Sequence, residues 1–360
     1  MNHVSERISA ISNAVQTWLE DHSGELNGAI DQAVEEEGHL RHDIFHRLQE
    51  IERTVTEQAL TGWAEQASVN AYGTDTGEQP PFVLCLHAGN LPLVGLQDIL
   101  AVLLSGNRYW GKISKKDYFL MESLLKHLWQ NGFSSAITWS MNLDDAKGED
   151  IRAVMFSGSE KTIPQVWKKL HEINCESPPE HRLVRTASYS IAWMERCAPK
   201  DLTNVWEAIL RYQGQGCRSV KAVVSPLSLD EIKKDLELTL ENYMGGVMPE
   251  TGQSLRREIA FARASGKTLI PAGTLMIRSE DTILEHSQII PWIEGDKDRL
   301  EELAADAGET IQNIYLEDDE ILMKEVEYAQ VDLLPKAQSP PITWKPDGVD
   351  PLNWLIQLKS

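Results

Sequence analysis

From residue 82 onward the sequence alternates short apolar runs with amphipathic stretches, and this alternation most narrows the folds open to the chain. Residues 82–87 read as a buried strand, Ala88-Gly-Asn-Leu-Pro92 breaks it, and 94–104 is a mostly apolar helix stopped by Ser105-Gly-Asn107. Further strands are predicted at 108–114, 135–139 and 150–156, with a helix at 117–129. The last of these strands ends in Ser157-Gly-Ser159 and a helix running to about 170. Parallel neighbours need long crossovers, so strands separated by helices imply a mostly parallel sheet. The pattern resumes with a strand at 190–194, a helix at 201–212 capped by Asp201, and a strand at 220–224. Helices at 229–243 and 254–264 follow, then shorter strands near 274–277, 289–292 and 311–315.

The front of the chain is different. Ile8, Ile11, Val15, Trp18 and Leu19 recur at helical spacing, as do Ile44, Leu48, Ile51 and Val55, with Leu60 and Trp63 beyond. A helical region over 1–72 is expected, ended by the turn chemistry of Gly73-Thr-Asp-Thr-Gly-Glu-Gln-Pro-Pro81. The organisation then reads as an α/β domain at 73–200, a second α/β domain at 201–335 around a cysteine, and a proline-rich C-terminal arm at 336–360 that suggests an arm reaching a second subunit of a homo-oligomer.

A net charge of −21, from 55 acidic and 34 basic residues, argues against nucleic acid and anionic membrane surfaces as partners, since both need a basic face. The start has no apolar segment of a signal peptide, and no apolar run approaches a membrane span, so a cytoplasmic protein without membrane insertion is expected. The four cysteines show no CxxC spacing and the 10 histidines no H-E-x-x-H, so sequence spacing predicts no metal site.

Cys217 stands out among the cysteines. It follows Gly214-Gln-Gly216, which lets the backbone turn sharply, and precedes Arg218, whose charge favours a thiolate. The pattern fits a nucleophile or a buried structural thiol. Cys85 lies inside an apolar strand and reads as core, while Cys175 and Cys197 lie in polar loop surroundings. Asn90 sits where a strand ends, at the edge where open α/β sheets bind ligands; its amide suits an oxyanion, or simply a Gly-Asn turn. Lys112 and Ser114 end the next strand on that edge, placed for a ribose or phosphate, or as ordinary strand-end polar residues. Ser157, Gly158 and Ser159 offer a helix N-terminus to a pyrophosphate, or an ordinary N-cap. His87 reads as a hydrogen-bonded core histidine. Neither G-x-G-x-x-G nor a Walker A lysine loop occurs.

Taken in order, Asn90-Leu-Pro92, Gly106-Asn107, Lys112-Ile-Ser114, Phe156-Ser-Gly-Ser159 and Gly214-Gln-Gly-Cys217 resemble the motif series of the aldehyde dehydrogenase superfamily. Within it, Gly89-Asn-Leu-Pro-Leu-Val-Gly95, Leu103-Leu-Ser-Gly-Asn107, Gly216-Cys-Arg-Ser219 and Asp347-Gly-Val-Asp350 are similar to the acyl-CoA reductases of the LuxC type. The resemblance implies an aldehyde-dehydrogenase-like α/β fold, with a Rossmann-type nucleotide domain, an α/β catalytic domain and a helical N-terminal region. It implies that Cys217 takes an acyl group from acyl-CoA or an acyl carrier or acyl-protein thioester, that Asn90 steadies the oxyanion, and that NADPH (NADP) reduces the acyl-enzyme to an aldehyde. Lys112 and Ser114 would face the adenosine ribose and its phosphate, and Ser157, Gly158 and Ser159 the pyrophosphate. The family's usual Glu-Leu-Gly-Gly corresponds by position to 183–190, which has no acid; a thioester reduction needs no activated water, an aldehyde oxidation does. The residue after Lys112 is not proline, and a Phe-Gly-Pro segment is not evident. A non-redox acyltransferase or thioesterase, or a non-catalytic homologue on the same fold, stands as the alternative.

Overall fold

A computed structural model describes residues 4–69, 80–186, 189–245, 252–284, 288–318 and 329–358. The expected turn at 73–79, and the boundary at 72/73 with it, lies outside the described residues, as do 187 and 188 of the segment without an acid. The chain divides into two compact units, Met1–Thr186 with Pro341–Ser360, and Ala187–Pro340.

The first unit opens with four helices, α1 (Val4–Glu20), α2 (Glu25–Glu36), α3 (Arg41–Thr54) and α4 (Glu57–Gln66). Of the residues singled out by helical spacing, Ile8, Ile11, Val15, Trp18, Ile44, Leu48, Ile51, Val55, Leu60 and Trp63 are buried and Leu19 is partly buried. Then come β1 (Phe82–Leu86), α5 (Leu96–Ser105), β2 (Arg108–Lys112), α6 (Tyr118–Leu128), β3 (Ile137–Ser140), β4 (Ile151–Ser157), α7 (Ile163–Glu172) and β5 (Arg182–Arg185). All five strands are parallel, in the order β3-β2-β1-β4-β5. Alternation along β1 covers both faces of the sheet. Val83 and Cys85 join a core shared with α5, α6 and the front helices, while Phe82, Leu84 and Leu86 join one shared with Leu170 of α7.

The second unit holds β6 (Tyr189–Trp193), α8 (Pro199–Leu210), β7 (Val220–Ser225), α9 (Leu229–Tyr243), α10 (Gln253–Ala264), β8 (Leu269–Ala272), β9 (Leu275–Ser279), β10 (Ile289–Glu294), α11 (Lys297–Ala307), β11 (Ile311–Leu316) and β12 (Gln330–Leu333). Its sheet runs β12-β11-β6-β7-β10-β9-β8, parallel except for the β8–β9 pair. α8 and α9 cover one face and α11 the other. α8 begins earlier than expected, with Pro199 at its first position and Ala198 as cap, so Asp201 lies in the first turn rather than capping it.

The tail is not extended throughout. It ends in α12 (Pro351–Gln357), whose N-terminus Asp350 caps by accepting from the amides of Leu352 and Asn353. Asp350 also accepts from Trp63 Nε1, and Gln97 of α5 donates to the carbonyls of Ile342 and Trp344. These bonds fix the tail to the first unit. Among the described residues, no helix is long and apolar enough to cross a membrane.

Candidate active site

The strand order of the first unit reverses between β1 and β4, and ligands of open α/β sheets bind outside the strand carboxyl ends at such a point. Asn90 follows β1 there and is exposed. Lys112 ends β2, and Ser114 lies two residues beyond it. Gly89 passes so close to Ser114 that a Cβ would lie 2.2 Å from its Oγ, so the Asn90 turn and the Ser114 loop pack tightly together. Ser157 ends β4, paired with Arg185, and the Gly158 amide donates to the Arg185 carbonyl at 3.2 Å. The first unit therefore gathers Asn90, Lys112, Ser114 and Ser157–Ser159 on one edge of one sheet.

Two features of this edge suit an anionic ligand. Lys112 is half-buried, its pKa lowered by desolvation and by neighbouring Lys115, and its ammonium has no carboxylate partner among the described residues. Ser159 precedes a single turn of 3₁₀ helix leading into α7, and its hydroxyl makes no capping bond. Together they leave a cation and a hydroxyl for phosphate oxygens.

Below this edge lies a buried polar cluster. His87 Nε2 meets the Tyr109 hydroxyl at 2.8 Å, and its Nδ1 lies 3.8 Å from Asp98, which accepts from Arg185. Burial pulls the His87 pKa down to about 4, so the ring is neutral near pH 7. This is the core role expected of it.

In the second unit, Cys217 stands in the loop between α8 and β7. The loop is conformationally unusual. Tyr212 and Gln213 both take left-handed backbone, with φ of 54° and 56°, directly before Gly214 at 66°. A Cβ on Gly214 would lie 2.9 Å from the Ile209 carbonyl, so the turn demands glycine by sterics as well as by φ. Two strands hold the loop from behind. Ser190 Oγ of β6 donates to the Cys217 carbonyl at 2.8 Å. Tyr315 of β11 is almost fully buried; burial pushes its phenol up, the Arg218 charge draws it down, Cys217 pushes it up and a bond to Ser190 lowers it. Lys221, its pKa lowered by burial, brings its Nζ close to Gly214.

Of the four cysteines, Cys217 alone is not buried. Cys85 is enclosed in the core, with its pKa pushed well up by desolvation. Cys175 and Cys197 are not in open loop surroundings, as their polar neighbours suggested. Cys175 Sγ is buried against the Ala146 carbonyl, and burial drives Cys197 up to about 12. Ser190, Tyr315 and Lys221 escape the sequence reading, because nothing local marks a strand residue that touches a loop far along the chain.

The architecture is that of the aldehyde dehydrogenases. The chain matches glyceraldehyde-3-phosphate dehydrogenase GapN from Methanocaldococcus jannaschii, solved with NADP, at a TM-score of 0.67 and 14% identity, covering 99% of this chain and 88% of that one. It matches an aldehyde dehydrogenase of Staphylococcus aureus at 0.65 and 14%, covering 99% and 87%, and a benzaldehyde dehydrogenase of Corynebacterium glutamicum at 0.64 and 15%, covering 98% and 83%. At such identities the likeness is one of fold. The acyl-CoA reductase (LuxC) family matches residues 4–272, and the chain belongs to that family. Membership makes it an oxidoreductase of acyl and aldehyde groups. No curated protein matches its sequence significantly.

Proposed function

We propose that this chain reduces an acyl thioester, carried by coenzyme A or by a protein, to the aldehyde with NADPH, through an acyl-enzyme on Cys217. The observation that carries the reading is the contrast among the thiols: three are buried, and one, in a loop with left-handed backbone at Tyr212 and Gln213, is partly exposed. The Cys217 sulfur attacks the thioester carbonyl carbon, the bond to the carrier sulfur breaks, and the carrier leaves as its thiol with one proton. Asn90 donates its amide to the oxyanion as charge develops. NADPH, when bound, supplies hydride to the acyl carbon. The carbon–sulfur bond to Cys217 then breaks, regenerating the thiolate and releasing the aldehyde. The hydride and the one proton that leaves with the carrier thiol balance the conversion.

Lys112 and Ser114 bind the adenosine ribose and its phosphate, and Ser157, Gly158 and Ser159 the pyrophosphate. The partnerless Lys112 ammonium and the uncommitted Ser159 hydroxyl support this assignment. The stretch 183–190 supplies no carboxylate to activate water, which favours reduction of the acyl-enzyme over its hydrolysis.

The test is incubation with short-, medium- and long-chain acyl-CoAs and NADPH or NADH, following nicotinamide absorbance and trapping the aldehyde. Aldehyde formed in step with NADPH consumed is the expected result. Acyl transfer or hydrolysis without nicotinamide oxidation would replace the redox reading by the non-redox one.

A further inference from the structure

α6 begins in an unusual way. Asp117 occupies its N-cap position, yet its carboxylate makes no capping bond. Glu37, from the loop after α2, does that work instead: its Oε1 accepts from the amides of Tyr118 and Phe119. The other Glu37 oxygen, Oε2, is left without a partner, as are His39 Nε2 and both Asp117 oxygens. These atoms are enclosed. The Asp117 residue is 1% exposed, and the Glu37 and His39 side chains are 2% and 10% exposed. Burial, with the Glu37 charge, raises the Asp117 pKa; the amides of Leu93 and Val94, which reach neither oxygen in hydrogen-bonding geometry, and the Arg47 charge lower it by less.

Glu37 Oε2, both Asp117 oxygens and His39 Nε2 face one another with no hydrogen bond donated to them, a costly arrangement that a bound cation would relieve. Glu37 Oε2 and His39 Nε2 are 3.9 Å apart, and with an Asp117 oxygen the set lies within 4.8 Å. Ligand atoms about 2.0–2.2 Å from one ion lie roughly 3–4 Å from one another, so a contraction of about 1 Å or less closes the set. His39 Nε2 makes no hydrogen bond, so in the tautomer protonated at Nδ1 its lone pair is available to a metal ion.

We propose that Glu37, His39 and Asp117 bind a divalent transition-metal ion, zinc(II) in the first instance, with Asp117 able to offer both oxygens. One imidazole and two carboxylates suit zinc, manganese or iron(II) better than calcium or magnesium, which take oxygen alone. The ion fastens the α2–α3 loop to the β2–α6 loop, on which Ser114 lies. It is structural and independent of the thiol chemistry. Spacing along the chain hides the set, because Asp117 comes from a distant element.

The test uses the full chain, stripped with chelator and dialysed, then titrated with ZnCl2 by calorimetry and followed by thermal melting, beside His39→Ala and Asp117→Asn. One equivalent bound by wild type, a rise in Tm on binding, and affinity at least about tenfold weaker in each variant are expected. Should Asp117→Asn fail to fold, cobalt(II) absorption bands present in wild type and lost in His39→Ala decide the matter. Equal affinity in wild type and His39→Ala, or no saturable binding by wild type, would overturn the proposal.

Discussion

Arg185, at the end of β5, donates through Nη2 to Asp98 in the first turn of α5, and both side chains are less than a tenth exposed. The pair ties the outermost strand of the sheet to the helix that follows β1, directly beneath the turn that carries Asn90. Asp347, which accepts from the Thr186 amide, adds its charge beside Arg185, so the tail motif Asp347-Gly-Val-Asp350 completes the cluster.

Removing one partner of such a pair leaves a buried charge alone. Asp98→Ala is expected to cost about 3–5 kcal/mol, at the lower end because Asp347 remains near Arg185. Asp98→Leu combined with Arg185→Met is expected to recover most of the loss. Urea unfolding of the three proteins checks both statements; a cost below about 1 kcal/mol for Asp98→Ala would mean that the pair is not enclosed.

His87 predicts a particular acid sensitivity. Burial holds its native pKa at about 4, against 6.5 for the free side chain. Between those values the unfolded chain takes up a proton that the native chain refuses, so stability falls as pH drops from 6.5 towards 4 and levels below. The contribution lost is about 3 kcal/mol at most. Carboxylates titrate in the same window, so the comparison is with His87→Gln, which cannot titrate. The wild type should lose more stability than the variant between pH 6.5 and 4; parallel curves would show the ring to be solvated.

Asn90 is exposed, so its replacement should leave the fold intact while removing the proposed oxyanion donor. Asn90→Ala is expected to lower kcat by about 10²–10³ with Tm unchanged. Steady-state rates beside a thermal melt separate the two effects.

Ser190 acts on the Cys217 loop through the Cys217 carbonyl. Ser190→Ala removes the bond to the Cys217 carbonyl, worth about 1 kcal/mol, and should slow acyl transfer to the enzyme roughly fivefold while leaving KM unchanged. Ser190→Thr, which keeps the hydroxyl, should restore the rate. Single-turnover acylation distinguishes this from a general loss of stability.

Much of this was legible in the sequence, and what was hidden shares one cause. The four front helices, the parallel strands and the segments on the strand edge follow from periodicity, because periodicity is a local property of residues that share a face. The cysteine loop was legible from Gly214 and Gly216. The buried state of Cys175 and Cys197 was not, since the Ala146 carbonyl and the Ser225 hydroxyl, which meet their sulfurs, are remote in sequence. β5, β8 and β12 also escaped, each only four residues long. Asp98 with Arg185, Ser190 with Cys217, and Glu37 with Asp117 are pairings between elements remote in sequence, and spacing carries no trace of them.

The central claim is that the Cys217 sulfur carries the acyl group. Incubation with acyl-CoA in the absence of NADPH, followed by intact-mass and peptide mass analysis, should find one acyl group on the peptide containing Cys217. Cys85→Ala should keep that adduct and Cys217→Ala should lose both adduct and turnover. Undiminished turnover by Cys217→Ala, or an adduct on another residue, would contradict the account.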